Sequence, residues 1–465
     1  MRPLFLLRKI RRRIKDICAI LAAITVAFYV GGNDAQSEPT SETKGLILST
    51  TQSETTAIAQ NETSALSDEA ETYIILAEDM TIIKGKGASF SDGIVTVSKS
   101  GTYSFKGELK DGRIIVDLVD DGEVKLNFYG VNINSSKGAP LSVIKAPDKA
   151  VLYFDERTVN DFSDTEDRVY TYDEDTGDSA VIFSEEDIVF EGNGFVRIKA
   201  DFNKGIFSKK DITLKDAKVN IASFDDGIRS NETVRIKNSE VMIASGGDGI
   251  HTAENNVGKY GKVIVDDSDI SYMGESDGID SAGDVLFYGG KADFLISGGS
   301  KGKYFRKNHS SVLDDSKAPD MNKNDILSAG KATADSSTIE NAMGQYTENA
   351  AVTVGGNAVF NDVNLKIDSA YHGIIGENIE IEDSFCSVKS DGNGLFAEDE
   401  VSLEGVKINI SGCYNGSECE EGQFNNGNIL IKAFNEGIIC TDEAPDFEDV
   451  SVEIKDKNST IPHKP

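Results

Sequence analysis

Three Asp-Gly-Ile triplets recur along this chain, Asp226-Gly227-Ile228, Asp248-Gly249-Ile250 and Asp277-Gly278-Ile279, with Lys204-Gly205-Ile206 preceding them. Successive Gly-Ile steps lie 22, 22 and 29 residues apart. If the chain returns to the same place after each step, Asp226, Asp248 and Asp277 form a column spaced about 4.8 Å, the distance between neighbouring strands. Two carboxylates at that distance repel by roughly 3–4 kcal/mol at an effective dielectric near 20. A divalent cation reverses the sign of that interaction. Asp225 and Asp280 flank the column, so the donor set is rich in oxygen; that suits Ca2+, whereas zinc would want His or Cys. Asp-Gly is also ordinary turn chemistry at a tight corner. The two roles are compatible, because a turn residue can also be a ligand.

Two positions beyond each Gly stand Phe207, Arg229, His251 and Asp280. In alternating backbone this second column faces outward beside the carboxylates. Arg229 and His251 are candidates for binding a sugar carboxylate. They are also weaker candidates for the catalytic base of a β-elimination, in which a cation stabilises the developing enolate. The competing reading is an Arg and a His that neutralise neighbouring Asp residues. Later corners carry fewer charges: Tyr371-His372-Gly373, Asp391-Gly392-Asn393-Gly394 and Asn435-Glu436-Gly437.

Positioning these columns requires elements that repeat at the same interval. Aligned at 22 residues, Ile212 falls over Val234, Leu214 over Ile236, Val219 over Val241 and Ile221 over Ile243. Aligned at 29, the columns continue as Val263, Val265, Ile270 and Tyr272, which leaves seven extra residues in the polar stretch 253–262. A second block repeats the pattern, with Ile374 over Leu395, Ile379 over Val401, Ile381 over Leu403, Cys386 over Ile408 and Val388 over Ile410. Within each repeat apolar and polar residues alternate, as in Asp-Ile-Thr-Leu-Lys, which is the period of a strand with one buried face. Short alternating strands in register every 22 residues predict an all-β parallel β-helix, a solenoid whose stacked coils share one apolar column. Ile94 to Phe162 is strand-rich but less regular and reads as initial coils or a cap.

The chain has 465 residues, with 79 acidic against 47 basic side chains, a net charge of −32, and no Trp. Such a surface repels phosphate and excludes sequence-independent nucleic-acid binding. The missing Trp removes the usual stacking platform for neutral sugars.

A basic cluster, Arg8 to Lys15, followed by the apolar run Ile17 to Val30, reads as a signal peptide or uncleaved anchor over residues 1–32. The expected location is therefore secreted or cell-surface, with the membrane touched only by this segment. Residues 33–78 read as a disordered Ser/Thr/Glu-rich linker, 79–455 as the β-helix, and 456–465 as a flexible tail. Polar insertions are expected at 164–179 and 298–350. Asp173 to Asp178 is close to an EF-hand loop in residue type. However, its Gly falls one position early and Ser184 replaces the closing Glu, so it reads as a solvated acidic loop. Cys413 and Cys419 close a short polar segment, expected as an inserted loop, and are a candidate disulfide in an oxidising compartment. A monomer is expected.

Ser100-Gly101-Thr102-Tyr103-Ser104-Phe105-Lys106-Gly107 through Asp117, and Leu126-Asn127-Phe128-Tyr129-Gly130-Val131-Asn132-Ile133, are also informative. Together with the Asp-Gly-Ile corners they resemble an exported bacterial carbohydrate-binding domain family described as polysaccharide-lyase-like, over about residues 90 to 445. The resemblance implies a right-handed parallel β-helix, bound Ca2+ and attachment to plant cell-wall polysaccharide, pectic or cellulosic. Ligand roles carried over from it fall on Asp225, Asp226, Asp248, Asp277 and Asp280. At the corner before Gly205 the chain departs from the pattern, with Phe202-Asn203-Lys204 in place of an acidic pair. Three functions follow as expectations: a calcium-binding polysaccharide module, a calcium-dependent uronan lyase, and a surface adhesin or structural protein.

Overall fold

Alternation decides the elements. In Ile212–Lys215 and Val234–Lys237 every second side chain is buried, and the intervening Thr213, Lys215, Arg235 and Lys237 reach toward solvent. A backbone of period two with β-branched inward residues is a strand with one buried face. The computed structural model describes residues 71–455 and 462–463, apart from 79, 169–178, 254–259, 297–349 and 371. Every regular element among the described residues is a strand, and none is a helix. The signal or anchor segment, residues 33–70 of the expected linker, the EF-hand-like stretch Asp173 to Asp178, residues 297–349 and most of the tail lie outside the described residues.

Pairing follows the repeat and is parallel throughout its length. Ile212 pairs with Val234 and Val234 with Val263; Val219 pairs with Val241 and Val241 with Ile270. In the second block Ile374 pairs with Leu395, Ile379 with Val401 and Cys386 with Ile408. The columns expected from the 22-residue spacing are therefore the register of the sheets. Inward-facing residues stack on their own kind. Phe105, Phe128, Phe154 and Phe190 form one continuous pile with ring centroids 5.4, 5.2 and 5.9 Å apart. Burying each such ring or branched aliphatic contributes about 1.5–3 kcal/mol, and no repeat can bury its inner face without the next.

A narrow sheet carries the corners. Its three-residue strands Ile228–Ser230, Ile250–Thr252 and Ile279–Ser281 pair in parallel, with Ile206 before and Val352 after in the same column. Ile279 pairs with a residue 73 positions later without loss of register. Among the described residues, antiparallel pairing occurs only toward the ends, where Glu71–Leu76 meets Ile82–Lys84, Ala88–Ser91 meets Ile94–Val97, and Ser451–Lys455 meets Pro462–His463. These pairings cover edges that would otherwise be open to further strands.

Two expectations are corrected here. The first described strand, Glu71–Leu76, lies inside the stretch expected as linker: it alternates, buries Ile74 and Leu76, and pairs with Gly101–Leu109. The Cys413–Cys419 segment is not a loop closed by a disulfide, because Asn415–Cys419 is a strand of the narrow sheet. Five extended residues at about 3.3 Å each carry the two cysteines beyond disulfide reach. Cys413 Sγ lies 3.8 Å from the carbonyl of Lys432 and Cys419 Sγ 3.7 Å from that of Ile439.

A candidate ligand strip on the narrow sheet

The Asp-Gly-Ile corners are built by close approach. A Cβ on Gly227 would lie 2.4 Å from Ile243 Cγ2 and 2.7 Å from the carbonyl oxygen of Gly249, so a side chain is excluded there. At Gly247 a Cβ would lie 2.6 Å from both Asp225 Oδ1 and Asp226 Oδ1. Beneath the corner Tyr272 donates its hydroxyl to the carbonyls of Gly247 and Ser276 at 3.0 and 3.2 Å. Glycine makes room, and the tyrosine fixes the turn from inside.

Each column carboxylate accepts the backbone N–H of its counterpart one repeat on. Asp226 Oδ1 accepts from Asp248 N at 3.0 Å, Asp248 Oδ1 from Asp277 N at 3.2 Å, and Asp277 Oδ1 from Ala350 N at 3.1 Å. Asp248 Oδ1 also accepts the Ser276 hydroxyl at 2.5 Å, and Asp277 Oδ2 accepts that of Thr353 at 2.9 Å. The three residues are buried, at 4%, 7% and 1% exposure. The turn role is thus a staple between repeats.

The outward oxygens meet cations. Arg229 Nη1 donates to Asp226 Oδ2 at 3.1 Å. His251 Nδ1 lies 3.2 Å from Asp248 Oδ2 and 3.3 Å from Asp280 Oδ2. Burial lowers the affinity of His251 for a proton, but the hydrogen bonds to Asp248 and Asp280 outweigh it and push the pKa up to about 9. Desolvation, followed by the Asp225 and Asp248 charges, raises the pKa of Asp226. Lys204 Nζ reaches Asp225 Oδ2 at 2.7 Å, so the Lys that departs from the acidic pattern supplies a counter-ion to the next corner. Three cations, Lys204, Arg229 and His251, stand among five carboxylates, Asp225, Asp226, Asp248, Asp277 and Asp280.

All the sequence-derived candidates therefore lie in one strip, but not in equivalent roles. Asp277 has both oxygens engaged within the protein. Asp248, His251 and Asp280 offer donor atoms within 4.8 Å of one another. The outward oxygens of Asp226 and Asp248 are paired with Arg229 and His251, and the partly exposed Asp225 and Asp280 stand beside them. Arg229 and His251 occupy the counter-cation positions. With Asp248 and Asp280 both paired to it, His251 favours its protonated form. Toward the N-terminal side the outward row continues as Phe207, which packs on buried Phe183 with centroids 5.8 Å apart. Elsewhere, an open groove of about 450 Å3 is lined by Lys366, Asn409, Leu430 and the 62% exposed Phe385.

Sequence reasoning missed Ser276 and Thr353 as hydrogen-bond partners, the Lys204–Asp225 pair and the Phe385 groove. Lys204 was visible as a departure in the repeat. Thr353 follows the long insertion, and no fixed spacing reaches it.

Residues 91–342, more than half of the chain, match the family model described as carbohydrate-binding domain-containing protein, and the chain belongs to that family. A carbohydrate-binding domain-containing protein of Acetivibrio thermocellus is 33% identical over 135 residues, covering 29% of this chain and 47% of the relative. The chain thus spans about half the length of that relative. A solved structure described as the polysaccharide lyase-like protein from C. thermocellum, gadolinium derivative, matches with a TM-score of 0.46 and 29% identity. That match covers 50% of this chain and 92% of the other.

Proposed function

We propose that this protein is a polysaccharide-binding module displayed outside the cell by its N-terminal segment, and that its stacked repeats form a right-handed parallel β-helix. The strip Phe207, Arg229, His251 and Asp280 is the proposed glycan contact. The observation that carries this reading is the pair of partly exposed cations, Arg229 and His251, set on buried carboxylates, with Phe207 next in the same row. Arg229 and His251 are suited to a sugar carboxylate, which makes a uronic-acid polymer of the plant cell wall the preferred ligand. Phe207 offers an apolar face to a sugar ring.

Calcium fits the surplus of carboxylates over cations. Asp225, Asp226, Asp248 and Asp280 would hold it, and it would supply positive charge that lets an acidic protein meet an acidic polymer. Asp277 would serve by fixing the repeat that follows. Binding is favoured over lyase chemistry because the matching family model is that of a carbohydrate-binding domain. An adhesin without sugar specificity would have no need of the strip.

A glycan array probed with and without calcium tests the reading, using the wild type and Arg229→Ala/His251→Ala. Calcium-dependent retention on polygalacturonate, lost in the double variant, is expected. Equal retention by both proteins would move the contact elsewhere, with Phe385→Ala reporting on the open groove.

A further inference from the structure

Cys419 and Cys440 are register partners on adjacent parallel strands, Asn415–Cys419 and Glu436–Cys440, with Sγ atoms 3.5 Å apart. Neighbouring strands hold their backbones about 4.8 Å apart, inside the 4.4–6.8 Å window of Cα separations that a disulfide spans. Closing the bond thus needs side-chain rotation rather than backbone movement. Cys386 lies in register with Leu365 and Ile408, and Cys413 Sγ sits at the Lys432 carbonyl. Among the described residues, no other cysteine pair is placed like this one.

We propose that Cys419 and Cys440 form a vertical disulfide that fastens the last strand of the narrow sheet to its predecessor. Glu436–Cys440 is where that sheet ends. Its side chains Ile438, Ile439 and Cys440 are only half-buried, whereas Cys419 is buried. A terminal repeat gains packing on one side only, so it is the one that profits most from a covalent tie.

The half-buried Cys440 is the entry point for a small-molecule disulfide such as oxidised glutathione. Its thiolate attacks one sulfur, the S–S bond of the reagent breaks, and one glutathione leaves as the thiol after taking up a proton. The Cys419 thiolate then attacks Cys440 Sγ in the mixed disulfide and expels the second glutathione. Two protein thiols are oxidised, two protons are transferred, and one glutathione disulfide is reduced to two thiols. Burial pushes the Cys419 thiol up to about 12 and also raises that of Cys440, so exchange accelerates as the solution becomes alkaline.

The test uses the full chain carrying Cys18→Ser, treated with oxidised glutathione at mildly alkaline pH and analysed by peptide mass spectrometry and thermal unfolding. The expected product is a Cys419–Cys440 cross-linked peptide with loss of two hydrogens, two of four thiols consumed, and a higher unfolding midpoint reversed by dithiothreitol. Neither Cys440→Ser nor Cys419→Ala should show the midpoint shift. Four unreacted thiols, a lasting glutathione adduct on Cys440, or a bridge to Cys386 or Cys413 would each overturn the pairing. A cross-link that leaves the midpoint unchanged would overturn its role as a fastener.

Discussion

The same corner column is uniformly acidic in its middle repeats and mixed in its late ones. Asp226, Asp248 and Asp277 occupy it early, and His372, Asn393, Asn415 and Glu436 occupy it later, in continuous register. In both regions the side chain ties one repeat to the next. Asp226 Oδ1 accepts the N–H of Asp248, and His372 Nδ1 accepts that of Asn393 at 3.2 Å. Asn393 and Asn415 donate their amides to Glu418 Oε2 at 2.7 and 3.0 Å, and Asn435 donates to Asn415 Oδ1 at 3.0 Å. The late column therefore links its repeats with fewer carboxylates. Stapling does not require a stack of carboxylates, and on the proposed reading the surplus charge of the middle repeats serves to hold a cation.

Removing the staple outright has the largest expected effect. Asp248→Ala leaves the Asp277 amide without this acceptor and strips His251 of one carboxylate, which should cost about 3–5 kcal/mol in urea unfolding. Writing acidic chemistry into the late column comes next. Asn393→Asp would set a buried carboxylate against Glu418 and should destabilise by about 3 kcal/mol at neutral pH, with recovery on acidification. A cost under half of that would mean that the late column tolerates charge as the middle one does.

The pH response of the middle repeats follows from His251. Its folded pKa of about 9 lies above the ordinary 6.5, so its pairing stabilises the fold fully below pH 6.5. That contribution is lost as the pH rises through 9. In chelator, stability should fall by roughly 2 kcal/mol over that window after allowance for partial exposure; a flat profile would mean the imidazole is neutral in the fold. Asp248→Asn is milder, at about 1 kcal/mol, because the amide oxygen can still accept the Asp277 N–H. Smallest of all is Arg229→Ala, expected to change stability by under about 1 kcal/mol. It should nonetheless weaken retention on polygalacturonate, which separates recognition from folding.

Much of this was legible because a repeat turns spacing into neighbourhood. Once Ile212 is set over Val234, the positions of Asp226, Asp248, Arg229 and His251 relative to one another follow. Residues outside the period were not legible. Thr353 joins Asp277 only because the narrow sheet ignores a long insertion, and no pattern announces that. Cys413 and Cys419 were misread because a polar composition hid a strand whose inward faces are Asn415, Ser417 and Cys419 rather than Ile or Val. Glu71–Leu76 was assigned to the linker because a single strand at an edge carries too few apolar residues to display a period.

The most direct measurement is the thermal unfolding midpoint in calcium and in chelator, for the wild type and for Asp226→Asn/Asp248→Asn. A wild-type midpoint that rises with calcium, set against a folded double variant that does not respond, is the expected result. A wild-type midpoint identical in calcium and chelator would contradict a cation role for the acidic column and leave it as a staple alone.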